Sequence, residues 1–432
     1  MPAMRILVFS SLVWLMSSGL WAADLMQAWR DAALQDPQLM AEQARFEQAK
    51  ARVAQTSADL LPQIELSGRF THTDRDGAPD AFENFNTSLT ARQLLFDGRV
   101  WYARQAETQA LKSVAAQLQN AQQELLLRVA QAYFEVLKAE DNLRSAGAEE
   151  EAIERQLGQA KEQHEVGLIA ITGVLEAQAA YDAARAARIG AEGALIISYD
   201  GLEQITGQQY DALHTLRADY PVEPPQPSDR QYWIDLALDQ NLSLQALAAR
   251  TAVAEQAVSA RRAGHWPSVG LFAEHSRNSE TLAGPEEQTV LGVQASLELY
   301  GGGRTSAQVR ESSFALEEAR AGQDQTRREV IQQTRSLFTQ MSTDVLGVQA
   351  RAQAIRSAES ALQATRTGYE VGTRNLVELL NAERALWAAR RDYDAARYQY
   401  VLSQLGLLRV TGQLAVDDLQ SLNDWLVASQ DQ

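Results

Sequence analysis

The sequence predicts a mainly α-helical protein with a smaller β portion, arranged as two copies of one plan. Segments 165–185 and 370–390 are identical at nine of 21 positions, and the same offset of 205 residues aligns Pro62 with Pro267. Each copy has two segments with alternating apolar and polar residues, followed by a long stretch without proline. Because an internal repeat fixes the architecture before any local pattern does, we expect two equivalent halves of one structure.

The composition argues against several classes of function. The 56 acidic residues outnumber the 39 Lys and Arg residues and give a net charge of −17, whereas a nucleic-acid-binding protein is expected to carry a basic surface. The acidity suits a pore lumen with a negative potential, but solubility alone also explains it. The chain has no cysteine, which excludes disulfides, thiolate catalysis and cysteine zinc sites. Its five histidines have no metal-binding spacing, so we expect no metal and no cofactor.

The first 23 residues have the pattern of a secretory signal peptide. Arg5 is the only charged residue before Asp24, the segment between them is apolar or small, and Ala22-Ala23 supplies the expected cleavage region. No later window holds 18 uncharged apolar residues, so the sequence predicts no transmembrane helix. We therefore expect an exported chain that either stays in solution outside the cytoplasm or crosses a membrane as a β-barrel.

The first repeat, 24–208, begins with a helical segment over 25–60, which ends before Pro62 because proline restricts the residue that precedes it. From Gln63 onward alternate residues are apolar, which predicts a strand with one apolar face: Ile64, Leu66, Gly68 and Phe70. A second and weaker alternating run follows over 84–96. The two runs together predict a β-hairpin.

The longest element of the first repeat is a predicted helix over 99–165. Its apolar residues recur at a mean interval near 3.56 between Leu111 and Leu143, which lies between a strict heptad and a straight helix. At about 1.5 Å per residue such a helix spans on the order of 100 Å, far more than a compact domain needs. A tight turn at 166–168 then leads into a helix that returns to Gly207.

A proline-rich segment, 209–231, is predicted to link the two repeats. The second repeat, 232–413, follows the same plan of helix, hairpin, long helix and returning helix. Its second strand is clearer than that of the first repeat, because every second residue from Leu291 to Leu299 is apolar. The C-terminal tail, 414–432, has the pattern of one or two helical turns.

Four strands with an apolar face cannot close a membrane barrel, since single-chain barrels begin at about eight strands. Open sheet edges are not tolerated in lipid, so several copies of the chain would have to contribute to one barrel. Aromatic residues stand at the predicted helix–strand junctions, where a membrane girdle would lie: Phe96, Trp101, Tyr102, Trp266 and Tyr300. Packing at these junctions explains the same aromatic residues without a membrane.

The long helices carry many small residues, such as Ala103, Ala106 and Ala110, so a single helix buries little surface. Side-by-side packing into a hollow tube and an ordinary bundle with a filled core both agree with the helical period. The paired strands favour the tube.

Several short motifs resemble those of the TolC-type outer-membrane efflux proteins, over essentially the whole chain after the signal peptide. They are YFEVL at 133–137, GLIAIT at 167–172, GY at 368–369 with GTR at 372–374, and the Thr-Gly pairs at 206–207 and 411–412. The resemblance implies a homotrimer in which each chain donates four strands to a 12-stranded β-barrel in the outer membrane. It also implies a tunnel of 12 α-helices that extends into the periplasm of a Gram-negative cell.

The resemblance further implies an exit duct of a tripartite efflux or type I secretion system. Such a duct receives small molecules or polypeptides from an inner-membrane RND or ABC pump, together with a periplasmic adaptor (membrane fusion) protein. The alternative is an exported coiled-coil scaffold without a pore, which the amphipathic strands disfavour. An enzyme is not expected, because the glycine run 301–303 lacks phosphate-loop spacing and the carboxylates and histidines do not converge on one site.

By the same resemblance, the helix turns at Gly167-Leu168 and Gly372-Thr373 are periplasmic tips that contact the adaptor. The two glycines also suit a tight turn between helices, which is sufficient to explain them without a partner.

The resemblance places a gate just inside those tips. Tyr369 and Arg374 fall on positions that link neighbouring helix pairs, and Glu378 and Asn381 fall on two positions that are acidic in the family. With only one acidic residue at these positions, the ring around the tunnel axis would carry one carboxylate per chain. Such a ring still favours cations.

The gate departs from the family pattern at one further position. Thr172 matches, but Gly173 stands where an acidic residue is expected. Arg374 therefore needs a different partner in the closed state, and Glu378 or backbone carbonyls are the candidates. A plain surface pair between Arg374 and Glu378, worth about 0.3–0.5 kcal/mol, explains the same two residues without a gate.

Overall fold

The structure is a computed structural model that describes residues 22–74, 82–280 and 284–428. Most of the predicted signal peptide, 1–21, and the end of the predicted tail, 429–432, lie outside the described residues. Within the described ranges, no helix is both long enough and apolar enough to cross a membrane.

The first half consists of two short helices, a β-hairpin, two long helices and a short strand. In chain order these are α1 (Leu25–Gln35), α2 (Pro37–Ala58), β1 (Gln63–Thr73), β2 (Phe82–Phe96), α3 (Gly98–Glu165), α4 (Ile171–Thr206) and β3 (Thr215–Leu216). The helix predicted over 25–60 is in fact two helices. Asp36 separates them and caps α2, because its carboxylate accepts the Leu39 N–H at 2.8 Å. Pro37 takes the first helical position, where its missing N–H costs nothing.

The second half repeats this order. Its elements are α5 (Arg230–Gln240), α6 (Leu242–Arg262), a single 3₁₀ turn (Ala263–His265), β4 (Ser268–Glu280), β5 (Gly284–Ser296), α7 (Arg304–Glu370), α8 (Leu376–Val410), α9 (Val416–Asn423) and β6 (Leu426–Val427). Asn241 has the role of Asp36, since its side-chain oxygen accepts the Leu244 N–H at 3.0 Å. Strand β5 ends at Ser296 rather than near Leu299, because Ser296 pairs with Ser268, the first residue of its partner strand β4.

The two hairpins form one antiparallel sheet in the order β1-β2-β4-β5. The register places Leu66 opposite Leu89 and Phe70 opposite Phe85, so the predicted apolar residues share one face. That face is open in the single chain, where Leu66 is 71% exposed and Leu291 is 76% exposed. The sheet therefore presents an uncovered apolar surface between two edge strands, β1 and β5.

The main buried cluster joins α1, α3, α8 and α9 around Tyr133 and Phe134, which are almost fully buried. The Tyr133 hydroxyl donates to the carbonyl oxygens of His214 at 2.8 Å and of Ala23 at 3.2 Å. Ala23 is itself buried and forms a parallel bridge with Leu213. The start of the described chain is thus fastened to the segment that joins the two repeats.

Polar contacts join α3 to α8 along much of their length. Arg391 pairs with Glu149 at 3.0 Å, Arg409 pairs with Glu124, and the Tyr398 hydroxyl donates to Asp141. Since α3 belongs to the first repeat and α8 to the second, these contacts bind the two halves laterally.

A glycine at the start of α3 allows the halves to approach closely at the base of the sheet. A Cβ atom at Gly98 would lie 2.6 Å from Cε3 of Trp266 and 2.8 Å from Cβ of Ala263. The Trp266 ring therefore lies directly on the Gly98 backbone and packs α3 against the end of α6.

We expect Gly98→Ala to lower the free energy of unfolding by about 1–3 kcal/mol, because the added methyl group overpacks this contact. Gly147→Ala is the matched control, since Gly147 lies in the same helix and a Cβ there would meet no atom within 4 Å. The control should raise stability by about 0.5–1 kcal/mol through helix propensity. Thermal unfolding followed by circular dichroism measures both changes, and an equal response of the two variants would contradict the contact.

Candidate functional site: the helix tips and the base of the sheet

Both helix turns at the end remote from the sheet have the same backbone conformation. Gly167 and Gly372 each have a φ of +78°, in the left-handed region that favours glycine. The Leu168 N–H donates to the Gln163 carbonyl at 2.8 Å, and the Thr373 N–H donates to the Gly368 carbonyl at 2.8 Å. The sequence repeat thus corresponds to two equivalent tips.

The two tips expose large apolar side chains. Val166 is 71% exposed and Leu168 is 74% exposed on the first tip, and Val371 is 68% exposed on the second. Each tip therefore carries an apolar surface that other parts of the described chain do not cover.

Tyr369 connects the two tips. Its hydroxyl donates to the side-chain oxygen of Gln163 at 2.9 Å, which joins the end of α7 to the end of α3. The link lies between the helix pair α7–α8 and the helix pair α3–α4.

Arg374 finds its partner within its own turn. Its guanidinium donates to one carboxylate oxygen of Glu378 at 3.1 Å, and both side chains are partly exposed. The second Glu378 oxygen accepts the Asn375 N–H at 3.1 Å, and the Asn375 side chain accepts the Glu378 N–H at 2.9 Å. This reciprocal capping box begins α8. Within one chain, Arg374 and Glu378 therefore form the local i,i+4 surface pair that the sequence analysis gave as the alternative to a gate contact.

The remaining predicted gate residues do not join this network within one chain. Thr172 and Asn381 are exposed on α4 and α8 respectively. The backbone N–H of Gly173 donates to the Ala170 carbonyl at 3.0 Å. A Cβ atom at Gly173 would lie 3.3 Å from Cδ1 of Ile169, which is a tight contact.

Sequence reasoning missed one buried acidic residue near the tips. Glu383 of α8 is only 2% exposed, and its closest cationic contact is Arg366 of α7 at 3.3 Å. Burial raises the pKa of the Glu383 carboxyl group, and Arg366 offsets only part of that rise. The sequence pattern could have indicated this residue, because Leu376, Leu380 and Glu383 lie on one otherwise apolar stripe of the helix.

The aromatic residues at the base of the sheet divide into two kinds. Phe96 stacks on Trp266 with ring centroids 6.3 Å apart, and Tyr102 lies 6.1 Å from the same ring. These three residues pack at the junction, yet Phe96 and Trp266 remain nearly half-exposed. Trp101 and Tyr300 are more exposed, at 52% and 89%.

Comparison with known proteins gives a family and several relatives. A family described as "Outer membrane efflux protein" matches residues 28–208 and 233–413. The chain is 34% identical over 415 residues to the outer membrane protein TolC of Vibrio cholerae, covering 94% of this chain and 95% of that protein. It is 30% identical over 430 residues to the alkaline protease secretion protein AprF of Pseudomonas aeruginosa, covering 96% and 89%.

Solved structures share the fold at lower identity. The chain resembles CusC with a TM-score of 0.80 at 19% identity, covering 91% of this chain and 93% of that one. It resembles the outer membrane protein VceC of Vibrio cholerae with a TM-score of 0.78 at 20% identity, covering 90% and 96%.

Proposed function

The chain belongs to the outer membrane efflux protein family, and we propose that three copies form an exit duct across the periplasm and the outer membrane. The duct takes small molecules or polypeptides from an inner-membrane pump of the RND or ABC type. Two relatives support this range of cargo, since one is named for protease secretion and another is the outer membrane efflux protein BepC of Brucella suis.

The observation that carries this proposal is the uncovered apolar face of the sheet. Its residues are exposed in the single chain, and lipid is the environment in which such a surface is stable. The open edges β1 and β5 require further strands, because unpaired backbone groups are not tolerated in hydrocarbon. Additional copies of the chain supply those strands.

The helix tips are the proposed contact for a periplasmic adaptor protein. The exposed apolar residues Val166, Leu168 and Val371 provide the apolar anchors of such a contact. Gly167, Gly372 and Thr373 shape the turns that present them.

The proposed gate consists of Tyr369, Arg374 and the Glu378 carboxylate, with Thr172, Gly173 and Asn381 at the adjoining positions. Tyr369 supports it by linking the two helix pairs. Glu378 supports it because its side chain is 40% exposed while its position is fixed by the capping box. Three copies of this carboxylate would form a ring that attracts cations.

The proposed girdle is the set of aromatic residues at the sheet base, Phe96, Trp101, Tyr102, Trp266 and Tyr300. Phe96, Trp101 and Trp266 are about half-exposed and Tyr300 is more exposed, which suits the boundary between lipid and water.

The function is tested by purifying the full exported protein from outer membranes and inserting it into planar lipid bilayers. We expect a heat-modifiable trimer that conducts ions across the bilayer. A stable trimer or monomer with no conductance, combined with an elongated shape in solution, would favour the pore-free scaffold.

Replacing Arg374 with serine should raise single-channel conductance severalfold if Arg374 holds the mouth closed, because the guanidinium can no longer bridge to an acceptor. Arg328→Ser is the matched control, since Arg328 makes the same kind of i,i+4 pair with Asp324 on α7. If the Arg374→Ser variant had the conductance of the parent, Arg374 would not be part of the gate.

Replacing Glu378 with glutamine should weaken the block of the channel by divalent and trivalent cations by about tenfold, since the ring would lose its charge. Glutamine still accepts the Asn375 N–H, so the helix start is preserved. Glu329→Gln, on the exposed surface of α7, is the control. Equal block of the Glu378 variant and the parent would place the constriction elsewhere.

A further inference from the structure

The apolar pattern of β5 extends beyond its hydrogen-bonded ladder. Ser296 pairs with the first residue of β4, so no strand of the described chain pairs with residues 297–300. Leu299 is 90% exposed and Tyr300 is 89% exposed, more than any other large apolar residue of the described chain. A strand end of this kind offers free backbone groups and apolar side chains to another chain. We call residues 297–300 the β5 extension.

The first repeat shows how such an extension is paired. Strand β1 begins at Gln63 opposite Arg92, whereas β2 continues to Phe96. The extra residues of β2 pair with β4 of the second repeat, where Gln93 lies opposite Leu271. The extension of one hairpin is therefore paired with the first strand of the next hairpin in the sheet.

The internal repeat relates the strands of the two hairpins to each other. At the offset of 205 residues, Ser268 is the equivalent of Gln63. These two residues pair with Ser296 and Arg92 respectively, so β5 is the equivalent of β2 at an offset of 204 residues. Strand β4 thus corresponds to β1, and the β5 extension corresponds to the end of β2.

The ladder between β2 and β4 therefore gives the register of a second ladder. Its pair Gln93 and Leu271 corresponds to Leu297 after β5 and Leu66 in β1. Strands β1 and β5 are the two outer strands of the sheet, with β2 and β4 between them. Neighbouring strands lie about 4.8 Å apart, so Leu297 and Leu66 cannot meet within one chain.

We propose that the β5 extension of one copy pairs with the first four residues of β1 in a second copy, with Leu297 opposite Leu66. The inference deepens the proposed function and rests on it, since it states how neighbouring copies of the duct are joined. The partner is a second copy of this chain, because the repeat supplies the matching strand. Within the described residues, β1 pairs only with β2 and its outer edge is open.

This register matches the two faces of the strands. It places Val293 opposite Phe70 on the apolar face and Gln294 opposite Arg69 on the polar face. A slip of one residue would place apolar side chains opposite polar ones along the whole ladder. A slip of two residues toward α2 would place Pro62, which has no N–H, opposite the extension.

One pair in this register joins like charges. Glu298 of the extension is placed opposite Glu65, and like charges directly opposite each other destabilise a sheet. Arg304 offsets this repulsion, because its guanidinium bonds to the Glu298 carboxylate at 2.7 Å and brings a positive charge to the same place.

Side chains at the base of the sheet agree with the same arrangement. Within one chain, the Trp266 ring stacks on Phe96 and covers the Gly98 backbone. The equivalent positions at the outer edges of the sheet are Leu61, Tyr300 and Gly303. Leu61 is 59% exposed, and a Cβ atom at Gly303 would meet no atom of the described chain within 4 Å. This second junction is open in the single chain, and Leu61 of the next copy would cover it.

The test uses pairs of cysteines, because the chain has no cysteine of its own. The full protein with Leu66→Cys and Leu297→Cys is oxidised in outer membranes and separated on a denaturing gel without reductant. Residues directly opposite each other on neighbouring strands lie within the Cα–Cα range of a disulfide. We expect most of the protein to become covalent trimer, since each chain would be linked to both of its neighbours.

Two other pairs serve as matched controls. Gln93→Cys with Leu271→Cys is the equivalent pair inside one chain, so it should form a disulfide without linking chains. Leu66→Cys with Ala295→Cys is displaced by two residues along the same face. A separation of about 7–8 Å is expected there, which is beyond the reach of a disulfide, so most chains should stay unlinked.

A trimer in which Leu66→Cys and Leu297→Cys link no chains overturns the register. Faster linking by the pair of Leu66→Cys and Ala295→Cys overturns it as well. If the first variant does not assemble, Gly68→Cys with Ala295→Cys tests the same register two residues further along β1 and is judged by the same criterion.

The two proposals fail in different ways. A cysteine-free parent that never conducts, together with a Leu66→Cys, Leu297→Cys variant that forms covalent trimers, refutes the exit duct and keeps the strand pairing. A parent that conducts, together with a variant that forms no covalent trimers, refutes the strand pairing alone.

Discussion

The structure depends on the placement of one surface, the apolar face of the four-stranded sheet. Leu66, Phe70 and Leu291 are largely exposed in the single chain. In water such a face, bounded by two free edges, would be an aggregation site. All four helical connections leave from the same end of the sheet, since α2 and α6 lead into it and α3 and α7 lead out of it. The sheet can therefore sit in lipid while every helix extends away from the membrane on one side.

The helical part is held together differently along its length. Near the middle, Tyr133 and Phe134 anchor a large apolar cluster that includes residues from both repeats. Toward the tips the buried cluster is much smaller, and alanines make up half of its buried residues. Polar links such as Tyr369 to Gln163 take over there. A polar link can exchange with water at a small net cost, so this kind of packing agrees with the gate proposed at the tips.

The sequence predicted the repeats, the hairpins and the long helices, because these depend on local periodicity and on turn residues. The family resemblance and the fold class are confirmed by the comparisons. The break between α1 and α2 at Asp36 was not predicted. The helical spacing of apolar residues continues across it, and the cap depends on the single buried carboxylate of Asp36. The strand end at Ser296 was missed because the apolar alternation continues beyond the hydrogen-bonded ladder.

The candidate site was only partly predictable. The roles of Gly167 and Gly372 could be predicted because a tight turn requires the backbone conformation that glycine favours. The Arg374–Glu378 pair could be predicted from helical spacing. The role of Asn375 as the N-cap of α8 could not be predicted, because it depends on the backbone geometry of the turn. Glu383 could have been recognised as a polar residue on an apolar stripe. Its partners could not, because Arg366 and Gln156 meet it only after three helices from both repeats have packed.

The pairing of β2 with β4 has a consequence for how the molecule is made. Ala91 lies opposite Ala273, so the two strands at the centre of the sheet come from different repeats. During synthesis the first hairpin can form early, but its inner edge must wait until α3, α4 and the second hairpin have been made. Contacts between such distant parts of a chain form slowly. The membrane-facing sheet is therefore completed only once the second hairpin is available, although the long helices α7 and α8 still follow it in the chain.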